Sequence, residues 1–282
     1  MEIIITSFYK YVNIKNPDLF REKHQKYCDK LGVKGKILVA KEGINGSVSG
    51  TGEQINKYKK ELLKNKLFKD IKFKDNLTDI LPFKKTIVRV RKEIVTSGLK
   101  VNLKNKGNYV SPEEFNNLIE KQKITVLDAR NNYETKIGKF KNAITPNIET
   151  FREFKKVPKL LSKFRNKKIV TYCTGGVRCE KASAFLKENG FKNVYQLDGG
   201  ILNYINKFPD KYFEGRCFVF DNRMSIPSGE SNKEISLCEI CHIPSGRYVN
   251  CANKICDKMF ISCAECSKKL RNFCSKKCSK SF

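Results

Sequence analysis

The sequence predicts an α+β sandwich, then an α/β unit built on a parallel sheet, then a small cysteine-rich, zinc-binding tail. Three observations carry this prediction. Residues 1–95 read strand, helix, strand, strand, helix, strand. Residues 108–213 alternate strands with helices, and eight of the 12 cysteines crowd between Cys238 and Cys278. A polar stretch with two glycines, 96–107, links the first two units, and 214–282 forms the C-terminal segment.

In the first unit, "IIITSFYKYV" is a strand. "NPDLFREKHQKYCDKLG" is a helix capped by Asn16, with Pro17 in its first turn and Gly32 at its stop. "KGKILVA" and "EGINGSVSG" are strands, "GEQINKYKKELLKN" is a helix, and "FKDIKFKDN" and "KKTIVRVRKEIV" supply later strands. That order fits a ferredoxin-like fold, two helices on an antiparallel sheet. His24 has no partner at ligand spacing and reads as a solvated helix residue; Cys28 is a bystander. The unit holds no nucleophile or metal cluster and reads as a lysine-rich binding platform.

The second unit opens at "SPEEF", where Ser111 caps a helix, Pro112 takes its first position and Glu114 closes a capping box. "ITVLDAR", "KKIVTYC" and "NVYQLDGG" are strands, and "VRCEKASAFLKENG" is a helix stopped by Gly190. Alternation of this kind makes a parallel sheet with helices on both faces. Sites in such sheets form at the carboxyl ends of strands, where Cys173 falls.

Charge narrows the partners. The chain has 57 Lys+Arg against 29 Asp+Glu, a formal net charge of +28. Lysine-rich usage can be a habit of an A/T-rich genome; it also suits a polyanion, most naturally nucleic acid. No stretch reaches the roughly 18–20 apolar residues of a membrane span. "MEIIITSFYKYVNI" lacks the basic region and cleavage site of a signal peptide, which points to the cytoplasm. There the cysteines are metal ligands or reactive thiols rather than disulfides.

The loop "CTGGVR" holds the main chemistry. Thr174, Gly175, Gly176 and Val177 separate Cys173 from Arg178. The glycines let successive N–H groups converge above Cys173 as an anion nest. The following helix adds its positive end and Arg178 a fixed cation. All three lower a thiol pKa and hold an anion. Cysteine phosphatases use a five-residue spacing that cradles phosphate; this tighter loop suits one extra sulfur on Cys173, a persulfide. Cys179 reads as a resolving thiol or as a small apolar core residue.

In the tail, Cys238-x2-Cys241, Cys251-x4-Cys256, Cys263-x2-Cys266 and Cys274-x3-Cys278 form four close pairs, each able to chelate one edge of a tetrahedral metal. Eight thiolates hold two zinc ions. Cross-braced and sequential pairings both satisfy the spacing, with cross-bracing favoured. Unliganded thiols and an iron–sulfur cluster are the alternatives; a segment this short of apolar residues needs a metal to fold. His242 reads as a neighbour of the ligands. Structural zinc has a closed shell and is not assigned oxygen chemistry.

At "VLDAR" with Asp128 and Arg130, Glu134, "CTGGVR" and "LDGGI", residues 108–213 resemble a rhodanese domain, whose sulfur-accepting cysteine falls at Cys173. The first unit with "KEGINGSVSG", then "PFKKTIVRVRKEIV", "YCTGGVRCEKA", "RCFVFDNR" and "YVNCAN", make nearly the whole chain similar to the bacterial rhodanese-containing tRNA uridine hydroxylase family. That resemblance implies formation of 5-hydroxyuridine at wobble position 34 of tRNA with molecular oxygen, Cys173 as the active-site cysteine in persulfide form, and a tRNA anticodon loop as partner. Tyr133, Phe151 and Tyr172 are then candidates to stack on the base, with packing as the alternative. A plain sulfurtransferase moving sulfane sulfur through Cys173, and a zinc-dependent adaptor without activity, are the competing functions. No dinucleotide fingerprint marks a flavin or NAD site, and with two histidines the chain has no two-histidine-one-carboxylate iron set. Oligomeric state is open from sequence.

Overall fold

In the first strand, β1 (Ile3–Tyr11), Thr6 and Phe8 are buried on one face while Ser7 and Tyr9 on the other are partly exposed. The computed structural model describes residues 2–231 and 233–280. Helix α1 (Pro17–Leu31) follows, capped by Asn16 accepting from the Leu19 N–H at 3.0 Å and closed by Gly32 at φ 80°. Strands β2 (Lys34–Ala40) and β3 (Gly43–Gly50), helix α2 (Gly52–Lys64), and strands β4 (Lys72–Thr78) and β5 (Thr86–Val90) complete the unit. The sheet order is β4-β1-β3-β2-β5. Four strands are antiparallel as expected, but β5 runs parallel to β2. Residues 79–85 carry the chain from the β4 edge to the far edge, and arrival from there reverses the pairing sense.

Phe8, Ile37, Val39, Ile44 and Val48 of the sheet pack with Cys28, Ile55, Tyr58 and Leu62 of the helices. Residues one step along each strand point to the opposite face. His24 belongs to the helix-side core rather than to solvent. It is 8% exposed, stacks on Phe20 at 5.1 Å and shares a 2.9 Å hydrogen bond with Tyr58. Burial beneath α2 lowers its pKa to about 4. The single-residue reading failed because helical periodicity did not reveal where the second helix packs.

The middle unit runs β6 (Asn108–Val110), α3 (Pro112–Glu120), β7 (Thr125–Asp128), α4 (Asn132–Ile137), β8 (Gly138–Phe140), α5 (Val157–Leu160), β9 (Ile169–Tyr172), α6 (Val177–Glu188), β10 (Val194–Leu197), α7 (Gly200–Lys207) and β11 (Phe213–Phe218). Its sheet, β6-β10-β9-β7, is parallel throughout. Ser111 caps α3 by accepting from the Glu114 N–H at 3.1 Å, while the Glu114 carboxylate lies 3.9 Å from Lys168. A reciprocal capping box occurs instead at Thr51–Gln54, and at α4 the Glu134 carboxylate accepts from the Asn131 N–H. The polar stretch 96–107 is anchored near its two ends: Ser97 is buried against Glu93, and the Gly107 N–H donates to Ser183 at 2.9 Å.

Strand β11 pairs antiparallel with β8 and with β12 (Ser225–Pro227), tying the C-terminal segment to the middle unit. The tail adds the antiparallel pair β13 (Tyr248–Asn250) and β14 (Met259–Ile261), then α8 (Ala264–Lys269) and α9 (Lys276–Lys280). Among the described residues no helix is long and apolar enough to cross a membrane.

Candidate active site

Cys173 follows β9 at the carboxyl end of the parallel sheet and is fully buried. Gly176, at φ +99°, turns the loop into α6 and donates its N–H to the Cys173 Sγ at 3.1 Å. The loop carbonyls are held in turn by the start of α7: Ile201 N–H donates to Cys173 O at 3.0 Å and Leu202 N–H to Thr174 O at 3.1 Å. Gly200 permits that approach, since a Cβ there would sit 2.4 Å from Cys173 O, and its φ is +67°. This is the structural reason for the Gly-Gly after β10.

Burial alone would raise the Cys173 thiol. The Cys179 thiol, the Arg178 guanidinium and the N–H groups of Arg178 and Gly176 outweigh it and bring the pKa down to about 5. Cys179 moves the other way, pushed up by burial and by its hydrogen bond to Cys173. It is buried beside the reactive thiol. Cys28 and Cys217 are pushed up to about 12, chiefly by burial.

The cation expected at Arg178 is paired with a carboxylate. Its guanidinium makes a two-pronged pair with Glu134, at 2.5 and 2.6 Å, and both groups are buried. Glu134 also accepts from Thr174 Oγ1 and from Asn131 N–H, each at 3.2 Å. The carboxylate therefore shares the charge of Arg178, which neighbours along the chain could not reveal. Asp128 and Arg130 form a second buried pair at 2.7 Å, and Arg130 donates to Gly138 O at 2.6 Å, bracing the connection after α4.

A cavity of about 570 Å³ opens from Cys173, Thr174, Gly175, Val177 and Arg178. Its opposite wall is the sheet face that α1 and α2 leave uncovered, lined by Ser7, Tyr9, Lys36, Asn45, Ser47 and Lys74. Strand register explains the grouping: Ser7 lies opposite both Ser47 and Lys74, and Ser47 opposite Lys36. Phe83, Tyr133, Phe151 and Phe220 add aromatic walls. Of the three residues weighed between stacking and packing, Tyr133 is half-buried at the wall and Phe151 lines the wall while packing on Phe154 at 5.3 Å. Tyr172 is fully buried beneath Arg130 at 5.6 Å, in the core rather than the mouth. Alternation on β9 sends it to the face opposite the site.

The N-terminal sheet is docked by polar contacts. Tyr9 donates to Glu180 at 2.8 Å, Tyr11 to Val177 O at 3.2 Å, and Lys181 reaches Glu42 at 2.8 Å and Glu93 at 2.7 Å. Tyr9, Tyr11, Lys74, Phe83 and Phe220 went unnoticed in the sequence. The available signal was the row of polar residues on the strand positions facing away from the helices.

In the tail, sulfurs of Cys238, Cys241, Cys263 and Cys266 form one cluster, and those of Cys251, Cys256, Cys274 and Cys278 a second. Within each cluster the sulfurs lie within 4.8 Å of one another, a set that can hold a metal ion. The pairing is cross-braced: first pair with third, second with fourth. Hydrogen bonds from Cys238 N–H to Ile243 O at 2.8 Å and Cys251 N–H to Lys258 O at 2.8 Å set the turns that present them.

A thiol held in a backbone nest at the end of a parallel sheet defines a rhodanese-type unit, here roofed by a second α+β domain. Residues 111–207 match the rhodanese-like domain family, 3–94 the UPF0176 acylphosphatase like domain, and 214–279 the rhodanase C-terminal family. A protein of Cytophaga hutchinsonii named tRNA uridine(34) hydroxylase is 42% identical over 97% of this chain and 89% of its own length. Proteins of the same name from Aster yellows witches'-broom phytoplasma (98% of this chain, 92% of the relative) and Bacillus licheniformis (96% and 86%) are also each 42% identical. The chain belongs to this tRNA uridine(34) hydroxylase family.

Proposed function

We propose that the protein hydroxylates uridine 34 of tRNA to 5-hydroxyuridine in the cytoplasm, with molecular oxygen as co-substrate and Cys173 as the active-site thiol, carrying a sulfane sulfur as a persulfide. The observation that carries this reading is the cavity between the two domains. It places a thiolate-stabilising loop at the end of a space of about 570 Å³ with aromatic walls, large enough for one nucleotide. A base acted on at a ring carbon must leave its stack, and an anticodon loop presents single-stranded bases whose faces meet aromatic side chains. The excess of basic residues, +28 in formal charge, supplies phosphate contacts.

In this reading Gly176 N–H and the start of α6 hold the anionic sulfur, Thr174, Gly175 and Val177 shape the nest, and Arg178, fixed by Glu134, sets the loop. Cys179, beside Cys173, is the accessory thiol of this reading. Sulfur transfer through Cys173 is the second reading, favoured by the four-residue loop sized for one extra sulfur.

Zinc fits both tail clusters. A tetrahedral Zn–S bond of about 2.3 Å puts sulfurs about 3.8 Å apart, and Cys241–Cys263, Cys251–Cys278 and Cys256–Cys274 stand at 3.7, 3.5 and 3.8 Å. Zinc there would hold the tail's fold, closed to other ligands. The deciding experiment compares tRNA nucleosides from cells with and without the gene by mass spectrometry. Loss of 5-hydroxyuridine and its derivatives supports hydroxylation; unchanged levels with thiosulfate turnover by purified protein support sulfur transfer.

A further inference from the structure

The Gly175–Gly176 peptide is bonded on both sides. Its N–H donates to the Cys173 Sγ at 3.1 Å, and its carbonyl oxygen accepts from the Lys74 Nζ at 2.6 Å. A trans peptide is planar, with C=O and N–H pointing in opposite directions, so fixing one end aims the other. Lys74 comes from a different domain, on β4 of the N-terminal sheet. Its register opposite Ser7 turns it to the face that roofs the cavity, where its ammonium lies 4.8 Å from the centre of the Tyr9 ring. The cation on the thiol loop itself, Arg178, is matched by Glu134. Among the described residues no carboxylate oxygen lies within 4 Å of the Lys74 Nζ.

We propose that Lys74 is a positioning residue for the Cys173 thiolate: it holds and polarises the Gly175–Gly176 peptide so that the peptide N–H points at the sulfur. A charged donor on the carbonyl strengthens the N–H as a donor, because bonds in a chain polarise one another. The rhodanese-type loop therefore has a thiol-stabilising part that it does not itself encode. The acylphosphatase-like domain completes the nest as well as covering the cavity. Burial lowers the Lys74 ammonium to about 8 against the opposing pull of Cys173, so it remains mostly protonated near neutral pH. The charged and titratable groups facing this pair are Arg178, Glu134, Cys179, Tyr9, Tyr11, Glu180, Asp198 and Lys72, with Lys36, Tyr133, Arg152, Asp221 and Arg223 on the cavity wall.

The test is the pH profile of Cys173 alkylation by iodoacetamide in the full-length protein, followed at the Cys173 peptide by mass spectrometry. It reads the thiolate directly and is independent of the tRNA reaction. Lys74→Met removes charge and donor, and should raise the alkylation midpoint by about one pH unit, so that the rate below the midpoint falls roughly tenfold. Lys74→Arg keeps both and should stay close to the parent. Lys74→Gln keeps a donor without charge and should fall between. Loss of packing alone would change accessibility at all pH values without moving the midpoint. Unmoved midpoints in Lys74→Met and Lys74→Gln overturn the proposal. If Lys74→Met does not fold, the ordering of Lys74→Arg and Lys74→Gln decides: equal midpoints refute it.

Discussion

Replacing Glu134 with glutamine tests the electrostatics beneath the thiol loop. The carboxylate accepts two bonds from Arg178, at 2.5 and 2.6 Å, one from Thr174 and one from Asn131. Glutamine has the same shape, but its amide NH2 must face a donor and the guanidinium loses its counter-charge. Breaking a buried pair in this way costs about 3–5 kcal/mol. At about 2–4 °C per kcal/mol for a large domain, the melting transition should fall by about 6–20 °C. Differential scanning calorimetry measures it. The double variant Glu134→Leu with Arg178→Met removes both charges and should recover much of the loss. The pH dependence has a defined sign. Burial opposes ionisation of Glu134, but Arg178 and Arg130 overcome it and hold the carboxyl below 4.5. The pair's stabilisation is complete above the unfolded value and is lost as pH falls through the lower folded one. The gap between parent and Glu134→Gln should therefore close in acid. A variant melting within about 2 °C of the parent at neutral pH would refute the reasoning.

Other outcomes follow from the same structure. Cys173→Ser should abolish 5-hydroxyuridine in tRNA while leaving the melting temperature nearly unchanged, as read by nucleoside mass spectrometry and calorimetry. Metal analysis should find two zinc ions per chain, and Cys238→Ser should release one of them; protein purified without zinc would reverse that assignment. His24 is neutral in the fold, with its pKa moved from 6.5 to about 4 by burial. Between those values the unfolded chain binds more protons, so about 3 kcal/mol of stability should be lost as pH falls across that window; His24→Phe should flatten this part of the curve.

Local chemistry made much of the molecule legible. Asn16, Ser111 and Gly32 mark helix ends because capping is decided within a few residues. The nest around Cys173 is a consecutive loop, and the tail pairs are spaced by chelation. Long-range contacts were hidden. The Glu134–Arg178 pair spans 44 residues and the Lys74–Gly175 bond spans 101, and neither separation leaves a mark on spacing. The parallel pairing of β5 depends on the path of residues 79–85, and the burial of His24 depends on α2. The choice between cross-braced and sequential cysteine pairing rested on how β13 and β14 fold back, which pair spacing does not encode.

The clasp between Asn222 and the carbonyls of Leu81 and Pro82 joins segments 141 residues apart. Its consequence lies in synthesis. At about 5–20 residues per second, the acylphosphatase-like domain leaves the ribosome many seconds before the chain that closes its open face. During that interval Lys74, Tyr9 and the uncovered sheet face water, and Cys173 has yet to emerge or find its roof. A chain released before Phe220 and Arg223 are made therefore holds the thiol loop without the last part of the cavity wall.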